Sequence, residues 1–322
     1  TGCYNTAFGA CSLYNNTTAC YNTGVGRQSL RSTTTGNQNT AVGNRSLYSN
    51  TTANYNTGIG DHALSCNTTA SYNTAIGYYS LLCNTTGFKN TASGNYASQL
   101  NTTGSCNSSF GYQALRNATT ATHNTASGYQ SSRNTTTGSR NSTFGTRSLY
   151  NNTTGCDNVA MGFCAMHADT TGSNNVAIGR RSLALNTTAN FNTGIGTCTL
   201  YANTTGHSNA ALGFKSMLNN TTGCYNTASG VYSLCANTTG SGNTSVGNNN
   251  LCTNSTGSNN TGVGQNTLRR NTTGYSNVLI GRSVGASGTD LHSAVMIGYA
   301  AGNNVNTNNS QGSVLIGWEA GT

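Results

Sequence analysis

Asparagine recurs at residue 5, at residue 22, and then at every seventeenth position as far as residue 277, without a single insertion. Glycine stands four residues after each of them, from Gly9 to Gly281. The phase holds again at Gly298 and slips by two at Gly317. A register kept this long describes one small structural unit stacked on itself, because a single unit cannot bury its apolar groups alone.

With the recurring Asn numbered position 0, the columns read clearly. Position 3 is mostly Val, Ile or Phe, as in Val42, Ile59 and Ile76, with Ser93, Ser127 and Ser229 as exceptions. Position 8 is Leu or Met in fourteen of the sixteen repeats that begin at residues 5 to 260, and position 13 is Thr in all sixteen. Seventeen residues are too few for a two-helix repeat, and no 3.6-residue period is present. Asn-Thr-Ala-Val-Gly reads as a short strand, ended where Gly permits a positive φ or a close backbone approach. A second strand is expected around Ser-Leu, then a corner at Asn-Thr-Thr-Gly.

The expected fold is therefore all-β, a parallel β-solenoid (β-roll or β-helix) of about 19 turns spaced about 4.8 Å apart, making a rod about 90 Å long. Residues 1–285 form the regular array, and 286–322 are degenerate terminal turns of the same coil. Alternation along a strand puts positions 1 and 3 on the core side. Position 2, always small before Leu279, then faces either a neighbouring copy or, if the interior is thin, the inside of the coil. Leu at position 8 and Thr at position 13 cannot both point inward from one straight strand, so a bend is expected between them.

The composition sets aside other classes. Only 6% of residues are charged, against roughly 25% in soluble proteins generally, and proline is absent. The net charge is +9, but the arginines form no run longer than two, which argues against nucleic acid as a partner. No apolar run approaches the roughly 18 residues of a membrane helix. Thr1 falls in mid-repeat and polar end caps are lacking, so we expect a mature product or fragment of a longer chain, or ends that join copies into a filament.

Twelve cysteines suggest an oxidising compartment. Cys3 and Cys20, Cys66 and Cys83, and Cys235 and Cys252 share columns on adjacent turns. Their Cα atoms should lie near 4.8 Å apart, inside the roughly 4.4–6.8 Å window of a disulfide, so inter-turn staples are expected there. Buried unpaired thiols are the alternative. Cys11, Cys106, Cys156, Cys164, Cys198 and Cys224 are left unpaired or bridge to other chains. No CxxC occurs and the five histidines fall far from one another, so no metal or other cofactor site is read.

Asn-Thr-Thr is also a glycosylation sequon, at Asn16, Asn50, Asn67, Asn84, Asn101, Asn152, Asn186, Asn203, Asn220, Asn237 and Asn271. Glycans on every turn would collide, and the competing reading, which we prefer, is a ladder of Asn or Thr side chains hydrogen-bonding along the rod. Tyrosines also fall in columns: Tyr4, Tyr21, Tyr55, Tyr72 and Tyr225 just before the Asn, and Tyr14, Tyr48, Tyr150 and Tyr201 at position 9. They either bind sugars or cover corners of the rod. The five acidic residues are too dispersed for a catalytic carboxylate pair, and an exact repeat spreads its chemistry evenly, so no enzyme is expected.

The phrases NTAVG, NVAIG and NVLIG, followed by a small residue with Leu and then NTTG, resemble the repeats of viral and phage tail-fibre proteins. More distantly they resemble the YadA-type head of trimeric autotransporter adhesins. The likeness spans about residues 5 to 317. It implies left-handed parallel β-rolls assembled as homotrimers, serving as extracellular, cell-surface or virion-surface fibres that attach to host glycans or receptors. The repeat here is seventeen residues rather than about fourteen, and no stalk or anchor is visible. A structural and adhesive fibre segment is thus expected, with an ice- or carbohydrate-binding solenoid using Thr and Asn ladders as the alternative.

Overall fold

Residues 2–303 and 312–321 are described in a computed structural model of the chain. They contain nineteen strands of three residues each and no helix. The chain divides into two units, 1–158 and 159–322. The first carries β1 (Thr6–Phe8), β2 (Thr23–Val25), β3 (Thr40–Val42) and so on in steps of seventeen to β9 (Ser142–Phe144). The second runs in the same steps from β10 (Val159–Met161) to β18 (Val295–Ile297) and ends with β19 (Val314–Ile316).

Each strand pairs in parallel with the equivalent strand of the next turn. Thr40 lies opposite Thr57, Ala41 opposite Gly58 and Val42 opposite Ile59. The same register repeats within each unit, so each is a parallel β-solenoid. Val295 pairs with Val314, nineteen residues on, so the last described turn takes up two extra residues and still restores the pairing. Of the segment 286–322, residues 304–311 and 322 lie outside the described residues.

Strands stop at three residues because the glycine at position 4 turns the chain with φ between +119° and +140°. A Cβ on Gly43 would stand 2.5 Å from the carbonyl oxygen of Gly60, so neighbouring backbones pass too closely for any side chain. The expected second strand around Ser-Leu is absent. Leu30 and Leu47 have φ of +50°, as do their equivalents to within a few degrees, and the segment forms turns whose amides reach the next turn, as Leu47 N–H does to the Ala63 carbonyl at 2.9 Å. Positions 6 and 16 adopt the same left-handed conformation, at Arg45 (+53°) and Tyr55 (+60°) for example. Each such residue costs about 1–2 kcal/mol, which burial and the hydrogen bonds between turns offset.

Two expectations about facing are corrected. Positions 1 and 3 do not point into the coil; position 2 does. Ala41, Ala75 and Ala92 are wholly buried while Ile59 and Ile76 are 38% and 42% exposed. The interior is thin, which is the reading of the small position-2 column that needed no neighbouring copy. Thr at position 13 is exposed rather than inward, and the segment between it and the buried Leu is made of turns and bends, not of a straight strand. What fills the interior is one large side chain per turn, Leu30, Leu47, Leu64 and Leu81 in succession, with small residues at positions 2, 7 and 14 and two columns of asparagine.

Candidate functional surfaces

The asparagine columns explain the constancy of the repeat. At position 0, Asn39 is buried and its Nδ2 donates to the Ala53 carbonyl at 2.8 Å, tying the strand start to the corner of its own turn. Its Oδ1 accepts the Asn56 backbone N–H of the next turn at 3.0 Å. Only Asn presents a donor and an acceptor at this reach. At position 11, Asn84 donates to Asn67 Oδ1 at 2.9 Å and to the Gly87 carbonyl at 2.8 Å.

These position-11 residues are the sequon asparagines. Asn50, Asn67, Asn84, Asn101, Asn152, Asn186, Asn203, Asn220, Asn237 and Asn271 are at most 1% exposed, and Asn16, at the first turn, is half-buried. A glycan needs the same Nδ2 that the ladder uses. At the ten buried sites a glycan would displace these hydrogen bonds, and the ladder is what the structure displays. The second residue of each sequon joins it: Thr51 Oγ1 donates to the Thr68 carbonyl at 3.1 Å. The third, from Thr18 to Thr256, forms an exposed file.

The cysteine pairs meet on adjoining turns. Cys235 and Cys252 hold their sulfurs 3.0 Å apart as thiols. The hydrogen bond from Cys235 brings the Cys252 thiol down to about 7, helped by the charge of Arg269 and opposed by burial. Cys235 is pushed up correspondingly, by that same hydrogen bond first and by burial second. The Cys3 amide donates to Cys20 Sγ at 3.2 Å. Burial raises the Cys66 and Cys83 thiols, and Cys66 adds a smaller upward push on Cys83.

The tyrosine columns stack on themselves. Tyr4 lies 5.0 Å from Tyr21 with planes 9° apart, and Tyr55 lies 4.9 Å from Tyr72 with planes 6° apart. Such stacks spend ring faces on each other, which favours the corner-covering role. At position 9, Arg31 lies over both Tyr14 and Tyr48 and donates to the Tyr48 hydroxyl at 2.7 Å.

The strands' outer face is a regular surface of another kind. In the first unit it carries Val42, Ile59, Ile76, Phe110 and Phe144 beside a file of Thr and Ser at position 1; in the second it carries Met161, Ile195, Leu212, Val246, Val263 and Ile280. No charged residue occurs at position 1 or 3 of any strand. Nine strands of three residues give a face of roughly 40 by 10 Å, about 400 Å², shared between the apolar file and the file of hydroxyls.

Reading the arginines as scattered overlooks what folding does with them. Arg116 and Arg133 fall at position 9 and Arg147 at position 6 of successive turns, on one side of the first unit. Column arithmetic on the sequence carries this signal, although a search for basic runs does not. Arg140 points elsewhere and makes a two-pronged pair with Asp157, at 2.7 and 2.8 Å, that holds the Asp157 carboxyl below its usual range. Among the described residues no three His, Cys, Asp or Glu side chains converge as a metal site would require, and no helix is long and apolar enough to cross a membrane.

No protein-family model matches this chain, and no curated protein matches it.

Proposed function

We propose that the chain is a structural and adhesive segment of an extracellular fibre, and that copies of it associate through the outer face of their strands. The supporting observation is the apolar file at position 3. Val42, Ile59 and Ile76 project from a flat sheet at successive turns with no charge among them. A surface meant only for water has no need of such a column, and it favours burial by an apolar partner. A second copy fits best, because its own file has the same period and interdigitates turn by turn. Closed association, such as a homotrimer, covers this face on every copy. The many cysteines suit an exterior setting.

Native mass measurement with and without reductant tests the association. An oligomer that persists in reductant and becomes monomeric when Ile59 and Ile76 are both changed to Lys is expected. A wild-type monomer at tens of micromolar would overturn it.

The exposed file from Thr18 to Thr256 favours a second reading, an ice- or carbohydrate-binding surface of regularly spaced hydroxyls. The neighbouring Thr hydroxyls are turned to backbone carbonyls, as at Thr51, leaving one outward file at that corner. Thermal hysteresis in a cooled solution would favour this reading over the adhesive one.

A further inference from the structure

We propose that Arg116, Arg133 and Arg147 form a binding site for an anionic polysaccharide, one bearing sulfate or carboxylate groups. The proposal rests on the adhesive half of the function above and names its ligand class; it does not depend on self-association.

The three guanidinium groups are held by a framework of glutamines. Arg116 Nε donates to Gln99 Oε1 at 2.9 Å, Arg133 Nε to Gln113 Oε1 at 2.9 Å, and Arg147 Nε to Gln130 Oε1 at 3.1 Å. Gln130 also donates to Gln113 Oε1 at 2.9 Å, which links two of the three anchors. Gln113 and Gln130 are only 8% and 9% exposed, beneath an exposed Arg147. Burying two amides at the surface of a thin coil costs free energy unless they are paired. Here the pairing fixes arginines whose long side chains would otherwise be mobile. Such preorganisation lowers the entropy lost on binding.

Each arginine spends Nε on a neutral carbonyl, and none of the three pairs with a carboxylate among the described residues. The first unit holds eight Lys and Arg against Asp61 and Asp157. Asp157 is engaged by Arg140, and Asp61 contacts His62 and accepts from Asn44. The charge of the three guanidinium groups is thus uncompensated, and the terminal nitrogens of Arg116 and Arg147 have no hydrogen-bond partner among the described residues. Planar donors in this state match the oxygens of sulfate and carboxylate. Positions two turns apart along the coil span about 10 Å, so the ligand is an extended polyanion rather than a single ion.

The aromatic rings nearby decide between polymers. Arg116 covers Tyr96 at 5.6 Å, and Arg133 and Arg147 lie over Tyr150 at 5.8 and 5.7 Å. Tyr112 and Tyr129 stack on each other, 5.4 Å apart and 15° from parallel. Arginine thus takes ring face from Tyr96 and Tyr150 that a nucleic acid base would need as the stacking platform of single-strand binders, while Tyr112 and Tyr129 stay 41% and 46% exposed, which makes oligothymidylate the competing ligand to test. A polysaccharide needs no such platform, since its acidic groups go to arginine and its hydroxyls to amide and phenol groups such as Tyr150.

Binding of the full chain to dextran sulfate, polygalacturonate, neutral dextran and oligothymidylate, by affinity electrophoresis at several salt concentrations, tests this. Binding to either acidic polysaccharide, weakening as salt rises, is expected, and which of the two binds assigns sulfate or carboxylate. The triple variant Arg116→Gln, Arg133→Gln, Arg147→Gln should bind roughly tenfold or more weakly. Arg27→Gln, Arg180→Gln, Arg181→Gln removes the same charge elsewhere and should bind as wild type. Equal loss in both variants, equal binding of neutral dextran, tighter binding of oligothymidylate, or no binding of either polyanion overturns the proposal. Oligomeric state measured on the same samples separates failure of this site from failure of self-association.

Discussion

Asn101 donates its amide to Asn84 Oδ1 at 2.8 Å, but its own Oδ1, buried, accepts from no partner. The residue one turn on, where the next ladder asparagine belongs, is Ala118. Thr33 and Thr135 interrupt the same column, and the hydroxyl of each is likewise buried without a partner.

Ala118→Asn should restore a donor to Asn101 and raise the stability of the first unit by about 1 kcal/mol, read as a higher urea midpoint at unchanged slope. The reverse change, Asn67→Ala, takes the donor from the buried Asn50 Oδ1 and one acceptor from Asn84 Nδ2 and should cost about 1–3 kcal/mol. If the two substitutions shift stability in the same direction, the ladder is not the organising interaction.

Asp169 stands in that column in the second unit. It is fully buried, accepts from Asn186 at 2.7 Å, and leaves Oδ2 unpaired. Burial raises its carboxyl from the ordinary aspartate value of 3.8 to about 8, against the smaller opposite effects of Asn186 and the Gly172 amide. Because the folded state favours the neutral acid, its contribution to stability is complete below pH 3.8 and is lost as pH rises towards about 8. Asp169→Asn should therefore stabilise the protein more at pH 8 than at pH 4, by on the order of 2 kcal/mol or more. Melting curves across that range check it; a pH-independent difference would count against the buried carboxyl.

Oxidised glutathione should join Cys235 and Cys252 before the other pairs. The Cys252 thiol, brought down to about 7, is largely thiolate at pH 8 and attacks the glutathione disulfide, releasing one glutathione thiolate and leaving a mixed disulfide; the Cys235 sulfur then attacks Cys252 Sγ and displaces the second glutathione. Cys66 and Cys83, raised by burial, react more slowly. Peptide mapping at early times checks the order. Closing a seventeen-residue loop is expected to stabilise by about 3 kcal/mol.

Secretion from a eukaryotic host that glycosylates should yield folded protein without glycans at Asn50, Asn67 or Asn84. Intact mass is the measurement, and a glycan at any of the three on protein with a cooperative melt would contradict the burial of their Nδ2 atoms.

The period, the parallel stacking and the co-columnar cysteines were legible in the sequence because each is a matter of counting. The facing of the strands was not. Hydrophobicity nominates Val42 and Ile59 for the core and Ala41 for elsewhere, and the reverse holds because the coil is too narrow for two bulky columns. Leucine at position 8 gives no hint of φ near +50°, since nothing but the hydrogen bonds to adjacent turns makes that conformation worthwhile. The arginine site was hidden for a related reason: residues 116, 133 and 147 are neighbours only once the chain is wound.

The identity of contacts from one turn to the next has a bearing on how such a gene changes length. Excising residues 56–72 would bring the turn that begins at Asn39 against the one that begins at Asn73, with side chains of the same kind at the join, whereas removing sixteen residues would leave one residue over at the join, to be taken up within that turn as the two extra residues before Val314 are. In-frame loss or duplication of fifty-one nucleotides, three for each residue of a turn, is thus a neutral move for the fold, and natural variants should differ in size by that quantum.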